Sequence, residues 1–208
     1  MCFSATASFS AGGLLLGIGS LTLHRTRCWR EVPFALIPSF FGLQQLLEGG
    51  LWLSLSDPLH RCGPLLTHAY SGFSQVVWPV FIPVAVVLLE AHPLRNKALL
   101  WIVAAGGLVS LFLLGALTHL QIRAQVNSGH ISYIFPHFHE AIATGLYLLG
   151  ACISPLMSSH RSVRWFGVLI TVSLLLTMAF YSMWFISVWC FFAAITSCAI
   201  LSFSAVEP

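Results

Sequence analysis

Apolar residues dominate the chain in long blocks, separated by short polar breaks. Helical blocks of roughly 17 to 25 apolar residues are long enough to cross a bilayer. Seven such blocks occur, over residues 8–24, 33–55, 68–90, 98–120, 137–156, 163–181 and 183–204. Only Tyr181-Ser182-Met183 separates the last two. A tight helical hairpin is expected there, because an unbroken helix would overshoot the membrane. The pattern changes in one place, "LQIRAQVNSGHISYIFP" at residues 120–136. Ile122, Ala124 and Val126 alternate with polar residues, Asn127-Ser128-Gly129 is a turn signal, and Ile131, Tyr133 and Phe135 continue the alternation. This predicts a β-hairpin. Two strands alone are marginally stable, so the hairpin is expected to lie over the helix ends as a cap or lid. The predicted fold is an all-α integral membrane protein. It forms a single domain over residues 1–208, a seven-transmembrane-helix bundle with a short outer β-hairpin between helices 4 and 5.

Composition agrees with this pattern. The 208 residues are 58% hydrophobic and 7% charged, whereas soluble domains carry about 25% charged residues. A chain this poor in charge cannot cover a soluble core, so the lipid bilayer is its expected surroundings. The formal net charge of +3 forms no basic stripe interleaved with aromatics, which excludes nucleic acid as a partner. Arg25, Arg27, Arg30, Arg95, Lys97, Arg161 and Arg164 fall in the odd-numbered connections, against Arg61 and Arg123 in the even ones. By the positive-inside rule the amino terminus is outside and the carboxyl terminus, ending Val206-Glu207-Pro208, is cytoplasmic. The expected location is the inner membrane of a bacterium. No basic residue precedes the first apolar block, so that block is expected to be retained rather than cleaved as a signal. The six cysteines show no CxxC spacing, which excludes a zinc ribbon or a thioredoxin-like site.

Prolines and glycines suggest how the helices meet. Pro33 is expected at a helix start, while Pro38, Pro79 and Pro83 should kink their helices and leave carbonyls for neighbours to satisfy. Gly12, Gly13, Gly17 and Gly19 thin the first helix, with Gly13 and Gly17 at GxxxG spacing, which suggests close packing.

Candidate chemistry centres on "FGLQQLLEGG", residues 41–50. Gln44, Glu48 and Trp52 share a helix face, and Gln45 stands beside them. Glu48 is roughly 10 Å below the outer end of its helix at 1.5 Å per residue. A lipid-facing carboxylate there would be costly, so this face should point into the bundle. Without a cation beside it, burial favours the neutral, protonated form. Ser71, Gln75 and Trp78 on the third helix and Glu140, Thr144 and Tyr147 on the fifth reach a similar level, as do Trp189 and Cys190 on the seventh. His60, His68, His119, His130, His137 and His139 all fall on the outer side. The ligand-binding candidates are therefore Glu48, Gln44, Gln45, Gln75, Trp52, Trp78, Glu140 and Tyr147. If a divalent transition metal is bound, its candidate ligands are His68, His119, His137, His139, Glu48 and Cys2. Each histidine also has a plain reading as an interfacial residue. Cys2 could chelate a soft metal, act as a nucleophile, pair with Cys62, or remain a free thiol.

"MCFSATASF", "GLQQLLEG" with Trp52, "WPVFIPV" and "SVWCFFAAITS" together resemble a family of small bacterial multi-pass membrane proteins of unknown function. The resemblance covers essentially the whole chain. It implies an architecture and no reaction. Alkaline-ceramidase-like hydrolases also have seven helices, but this chain lacks HxxxH, and Asp57 lies in a loop. A retinal protein is excluded, because the seventh helix has no lysine. Three readings follow. The first is an outward-facing polar pocket at Glu48 that binds, senses or transports a small polar or cationic ligand. The second is a metal-dependent intramembrane hydrolase. The third is a structural or partner-binding protein. The oligomeric state is left open.

Overall fold

A computed structural model describes residues 4–56, 62–119, 122–127, 129–134 and 141–202. Helix α1 is Ala5–His24, α2 is Val32–Ala35, α3 is Ile37–Ser56 and α4 is Gly63–Ser71. A π-helical turn, Gly72–Val77, joins α4 to α5, Trp78–Leu89. Helix α6 is Pro93–His119, followed by strands β1, Arg123–Asn127, and β2, His130–Ile134. Helix α7 is Ala141–Leu148, and a second π-helical turn, Leu149–Ile153, leads into α8, Ser154–Leu156. Helix α9 is Arg161–Phe180, and α10 is Phe185–Ser197 between the 3-10 turns Ser182–Trp184 and Cys198–Ser202.

Five helical segments are long and apolar enough to cross a membrane: Ala5–His24, Gly63–Leu89, Pro93–His119, Arg161–Phe180 and Ser182–Ser202. Large apolar side chains such as Leu14, Trp101, Leu108, Leu111 and Phe180 project from them, exposed. The protein is a membrane protein whose apolar helices contact lipid. The predicted break at Tyr181 is present, and α9 and α10 pack against each other across it. The third apolar block begins earlier than expected, at Gly63, with a proline in its first turn. The second is interrupted at Leu36, where α2 gives way to α3. Pro38 cannot donate to the preceding turn, and Thr22 Oγ1 donates 2.7 Å to the Ala35 carbonyl beside the break.

Both π-helical turns lie just before a proline, Pro79 and Pro155. A missing N–H breaks the α-helical ladder, and the turn before it widens by a residue. Neighbours take up the displaced carbonyls, as a membrane interior requires. Ser110 Oγ donates 2.7 Å to the Val76 carbonyl, and the Tyr147 hydroxyl donates 2.6 Å to that of Ser74. Ser154 Oγ donates 2.6 Å to the Gly150 carbonyl. Pro83 likewise leaves the Pro79 carbonyl without a helical donor. That oxygen lies against Gly106 of α6 and Gly150, where an added Cβ would stand 2.0 Å and 2.4 Å away respectively. Only glycine lets three backbones meet this closely.

Helices α1 and α3 also meet through glycine, but on a different face from the expected one. Gly13 and Gly17 have open space where a Cβ would be. The packed face is Ser8, Gly12, Leu15, Gly19 and Thr22, all buried. A Cβ at Gly12 would be 2.7 Å from Leu46, and one at Gly19 would fall 1.9 Å from Ser39. GxxxG spacing was thus present without being the interface, since the apolar helix offers no polar side to orient it.

The hairpin forms as predicted. Arg123 pairs with Ile134 and Asn127 with His130, and Gly129 takes φ 75°, the left-handed conformation a two-residue turn needs. It caps the bundle: fully buried Ile131 packs with Leu51 and Trp52 of α3, and His130 stacks on Trp184 at 4.6 Å. Burial holds the His130 imidazole below its usual pKa. At the opposite end Glu90 joins two connections. Its carboxylate accepts from the Ser159 amide and hydroxyl, both at 2.7 Å, and from the His92 amide at 3.0 Å. Arg25 donates 2.9 Å to the Leu201 carbonyl at the end of the last helix.

Candidate functional site

Helix α3 buries the face that carries Gln44, Gln45 and Glu48, all fully inaccessible. The Ser187 hydroxyl of α10 donates to Glu48 Oε1 at 2.5 Å, and Gln45 Nε2 donates to Oε2 at 3.4 Å. Tyr70 of α4, also fully buried, reaches both the Glu48 carboxyl and the Cys190 thiol with its hydroxyl. That thiol in turn meets Gln44, whose Oε1 accepts from Trp78 Nε1 at 2.8 Å. Helices α3, α4, α5 and α10 thus converge on one polar cluster. The hairpin seals it: Tyr133 lies flat on Tyr70, with ring centroids 4.8 Å apart and 5° between planes.

The elements that carry the cluster also hold buried polar atoms without partners. Gln44 Nε2, Gln45 Oε1, Gln75 Oε1, Ser71 Oγ and, on the buried face of α1, Ser8 Oγ have no hydrogen-bond partner among the described residues. Each such group costs about 1–3 kcal/mol in an apolar interior. A void of ≈ 20 Å³ is lined by Gln75, Tyr147 and Cys190, and one of ≈ 10 Å³ by Trp78, Tyr147 and Cys190. A larger cleft of ≈ 520 Å³ lies under the hairpin, among Ile131, Tyr133, Thr144, Trp184 and Phe185. Ser187, which bonds Glu48, is in its wall.

A family described as a "Family of unknown function (DUF6629)" matches residues 1–208. The chain belongs to DUF6629. No curated protein and no solved structure matches it.

Of the residues the DUF6629 sequence offered, the fold gathers Glu48, Gln44, Gln45 and Trp78 into one cluster and sets Gln75 beside it. Trp52 packs against Ile131 of the hairpin, and the Tyr147 hydroxyl is committed to the Ser74 carbonyl. Glu140, His137, His139, His60, Asp57 and Cys2 lie outside the described residues. His68 and His119 are exposed, and the His68 Nδ1 is 2.8 Å from the Pro64 carbonyl on its own helix. No group of three His, Cys, Asp or Glu able to hold a metal occurs among the described residues. Cys62 is a free, exposed thiol. Among the described residues, the cavity next to the Glu48 cluster through Ser187 is a mainly apolar cleft.

Tyr70 and Ser187 were not among the candidates. Ser187 is one of many small hydroxyl residues in apolar helices, and most of them bond their own helix. Tyr70 lies just before a π-helical turn, which rotates the following residues relative to an α-helical count. The turn's one sequence signal was Pro79.

Proposed function

We propose that this DUF6629 protein is a seven-helix protein of a bacterial inner membrane that binds a small polar or cationic ligand at the Glu48 cluster. In this reading the amino terminus is outside and the carboxyl terminus cytoplasmic. Two further segments join the five apolar spans. Residues 142–156 form a shorter apolar helix. Helix α3 is made less apolar by Gln44, Gln45 and Glu48, all turned inward, while Leu43 and Leu53 stay exposed. The arginines at the Glu90 end support the orientation, with the hairpin at the other end.

The observation that carries the binding reading is Glu48 itself. It is a fully buried carboxyl held by the Ser187 hydroxyl and the Gln45 amide, beside amide atoms that have no hydrogen-bond partner among the described residues. Such a group is expensive within a membrane and is by default functional. A structural reading has one specific observation in its favour, the hydrogen bonds by which the cluster ties α3 to α5 and α10. One experiment separates the two. Detergent-solubilised wild type and Glu48→Gln are heated in sodium, potassium, lithium, ammonium, choline and spermidine chlorides at constant ionic strength. Under the binding reading at least one cation raises the wild-type midpoint and leaves the variant unmoved. If no cation distinguishes the two proteins, the binding reading falls and the structural one stands.

A further inference from the structure

We infer that the ≈ 520 Å³ cleft under the hairpin takes one acyl chain of a bilayer phospholipid, whose phosphate meets Arg123 at the rim. This site goes beyond the Glu48 reading and does not depend on it.

Volume and lining set the chemistry of the occupant. A space of ≈ 520 Å³ is within the range of about 300–1,000 Å³ found for sites that bind small organic molecules. Left empty, it would forfeit dispersion contacts for the side chains around it. Its wall is mainly apolar, with Ile131, Leu148, Met178, Met183, Phe185 and Ile186. Water gains too few hydrogen bonds in such a space to fill it. Hydrocarbon fills it without loss, and lipid surrounds these helices.

The wall also gives a route of entry. Met178 and Met183 are exposed, whereas Ile131 and Ser187 are fully buried. The exposed pair belongs to the apolar segments Arg161–Phe180 and Ser182–Ser202. The cleft therefore runs from a lipid-facing surface into the interior, and a chain enters sideways from the bilayer without crossing water.

Charge decides which part of the lipid goes inside. The polar residues of the wall are Tyr133, Thr144, Ser182 and Ser187, and no charged side chain occurs among its described residues. An anion within the cleft would meet no counter-charge there, so the uncharged chain enters and the phosphate stays outside.

The hairpin supplies the charge for that phosphate. Arg123 pairs directly across from Ile134, so the two side chains share one face of the hairpin. Ile134 lines the cleft, which sets Arg123 at its rim. Arg123 is exposed and follows shortly after the end of α6 at His119, where an apolar span gives way to the membrane surface. Tyr181 and Trp184 pack on His130 of the same hairpin, and tyrosine and tryptophan gather at headgroup level. A guanidinium there suits a phosphate, which it meets with paired N–H donors.

The test uses the full chain in detergent, stripped of lipid and titrated with palmitoyl-oleoyl phosphatidylglycerol under native mass spectrometry. The expected result is a single adduct that saturates ahead of any others. Met178→Trp, at an exposed position of the wall, should fill the mouth and lose that adduct. Ser182→Trp, also exposed, carries the test if Met178→Trp does not fold. Arg123→Gln should weaken the phosphatidylglycerol adduct about fivefold and leave that of uncharged dioleoylglycerol unchanged. Equal weakening of both lipids overturns the assignment of the phosphate to Arg123. Oleic acid bound at lower concentration than the phospholipid overturns the inference in favour of a free fatty acid. A lipid-free dimer in place of the adduct overturns it in favour of a second copy of the chain. Adducts that build up without a first saturable step, or that survive both tryptophan variants, reflect ordinary lipid contact and overturn it as well.

Discussion

Gly106 and Gly107 are neighbours on α6, yet the structure assigns them opposite fates. A methyl group added at Gly106 would stand 2.0 Å from the Pro79 carbonyl oxygen and 2.9 Å from its carbon. An ordinary carbon–oxygen contact is about 3.3–3.6 Å, so Gly106→Ala must push α5 and α6 apart by more than ~1 Å. The obstacle is backbone, which cannot swing aside as a side chain does. Overpacking of this kind costs about 1–3 kcal/mol, occasionally more. At Gly107 the added methyl meets nothing within 4 Å. There alanine is the better helix former by about 0.8–1 kcal/mol, so Gly107→Ala should be neutral or mildly stabilising. The propensity gain applies at both positions, so the two variants should differ by the overpacking cost, about 1–3 kcal/mol. Denaturant unfolding of the solubilised protein measures this directly. The effect should also reach the polar cluster, because Trp78 directly precedes Pro79 and bonds Gln44 at 2.8 Å. Quenching of tryptophan fluorescence should therefore increase in Gly106→Ala alone. Equal stabilities for the two variants would refute the close approach and, with it, the account of how Pro83 leaves a carbonyl for the glycines to accommodate.

Tyr147→Phe removes the donor to the Ser74 carbonyl within the first π-helical turn and leaves that acceptor buried. A loss of about 1–3 kcal/mol is expected from the same unfolding measurement. Glu90 gives a pH signature. Burial opposes its ionisation, but hydrogen bonds from Ser159 and His92, together with Arg95, outweigh that and hold the carboxyl below the usual glutamate range. A carboxyl depressed in the folded state contributes stability that is full above its unfolded pKa and is lost as pH falls through the folded one. The wild-type midpoint should accordingly drop on acidification from the ordinary glutamate range downward. Glu90→Gln should start lower at neutral pH and show a flatter decline, so a constant difference between the two curves would remove the clamp from consideration.

Much of the architecture was legible in the chain because membrane burial acts on whole segments. A block of apolar residues has one stable form in lipid, a helix, so its position and approximate length can be read directly. The alternation around Asn127-Ser128-Gly129 was equally readable, because a strand buried on one face must repeat every second residue and a two-residue turn needs the conformation Gly129 supplies. Glu48 stood out for the same reason: a carboxyl among apolar residues is costly unless it faces inward.

What the sequence could not decide was rotation. A helix apolar all round carries no amphipathic signal to say which side meets its neighbour. Gly12 and Gly19, not Gly13 and Gly17, proved to be the contact face of α1, and only the approach of α3 selected them. The π-helical turn after Tyr70 shifted the register of the residues beyond it by an amount no α-helical count contains. Ser187 became the partner of Glu48 because α10 packs against α3, a contact 139 positions apart in the chain. The sequence by itself determined which segments lie in the membrane and that one carboxyl must turn inward. Tertiary packing alone decided what that carboxyl meets, because rotation and close approach between uniformly apolar helices are set by the shapes of their neighbours.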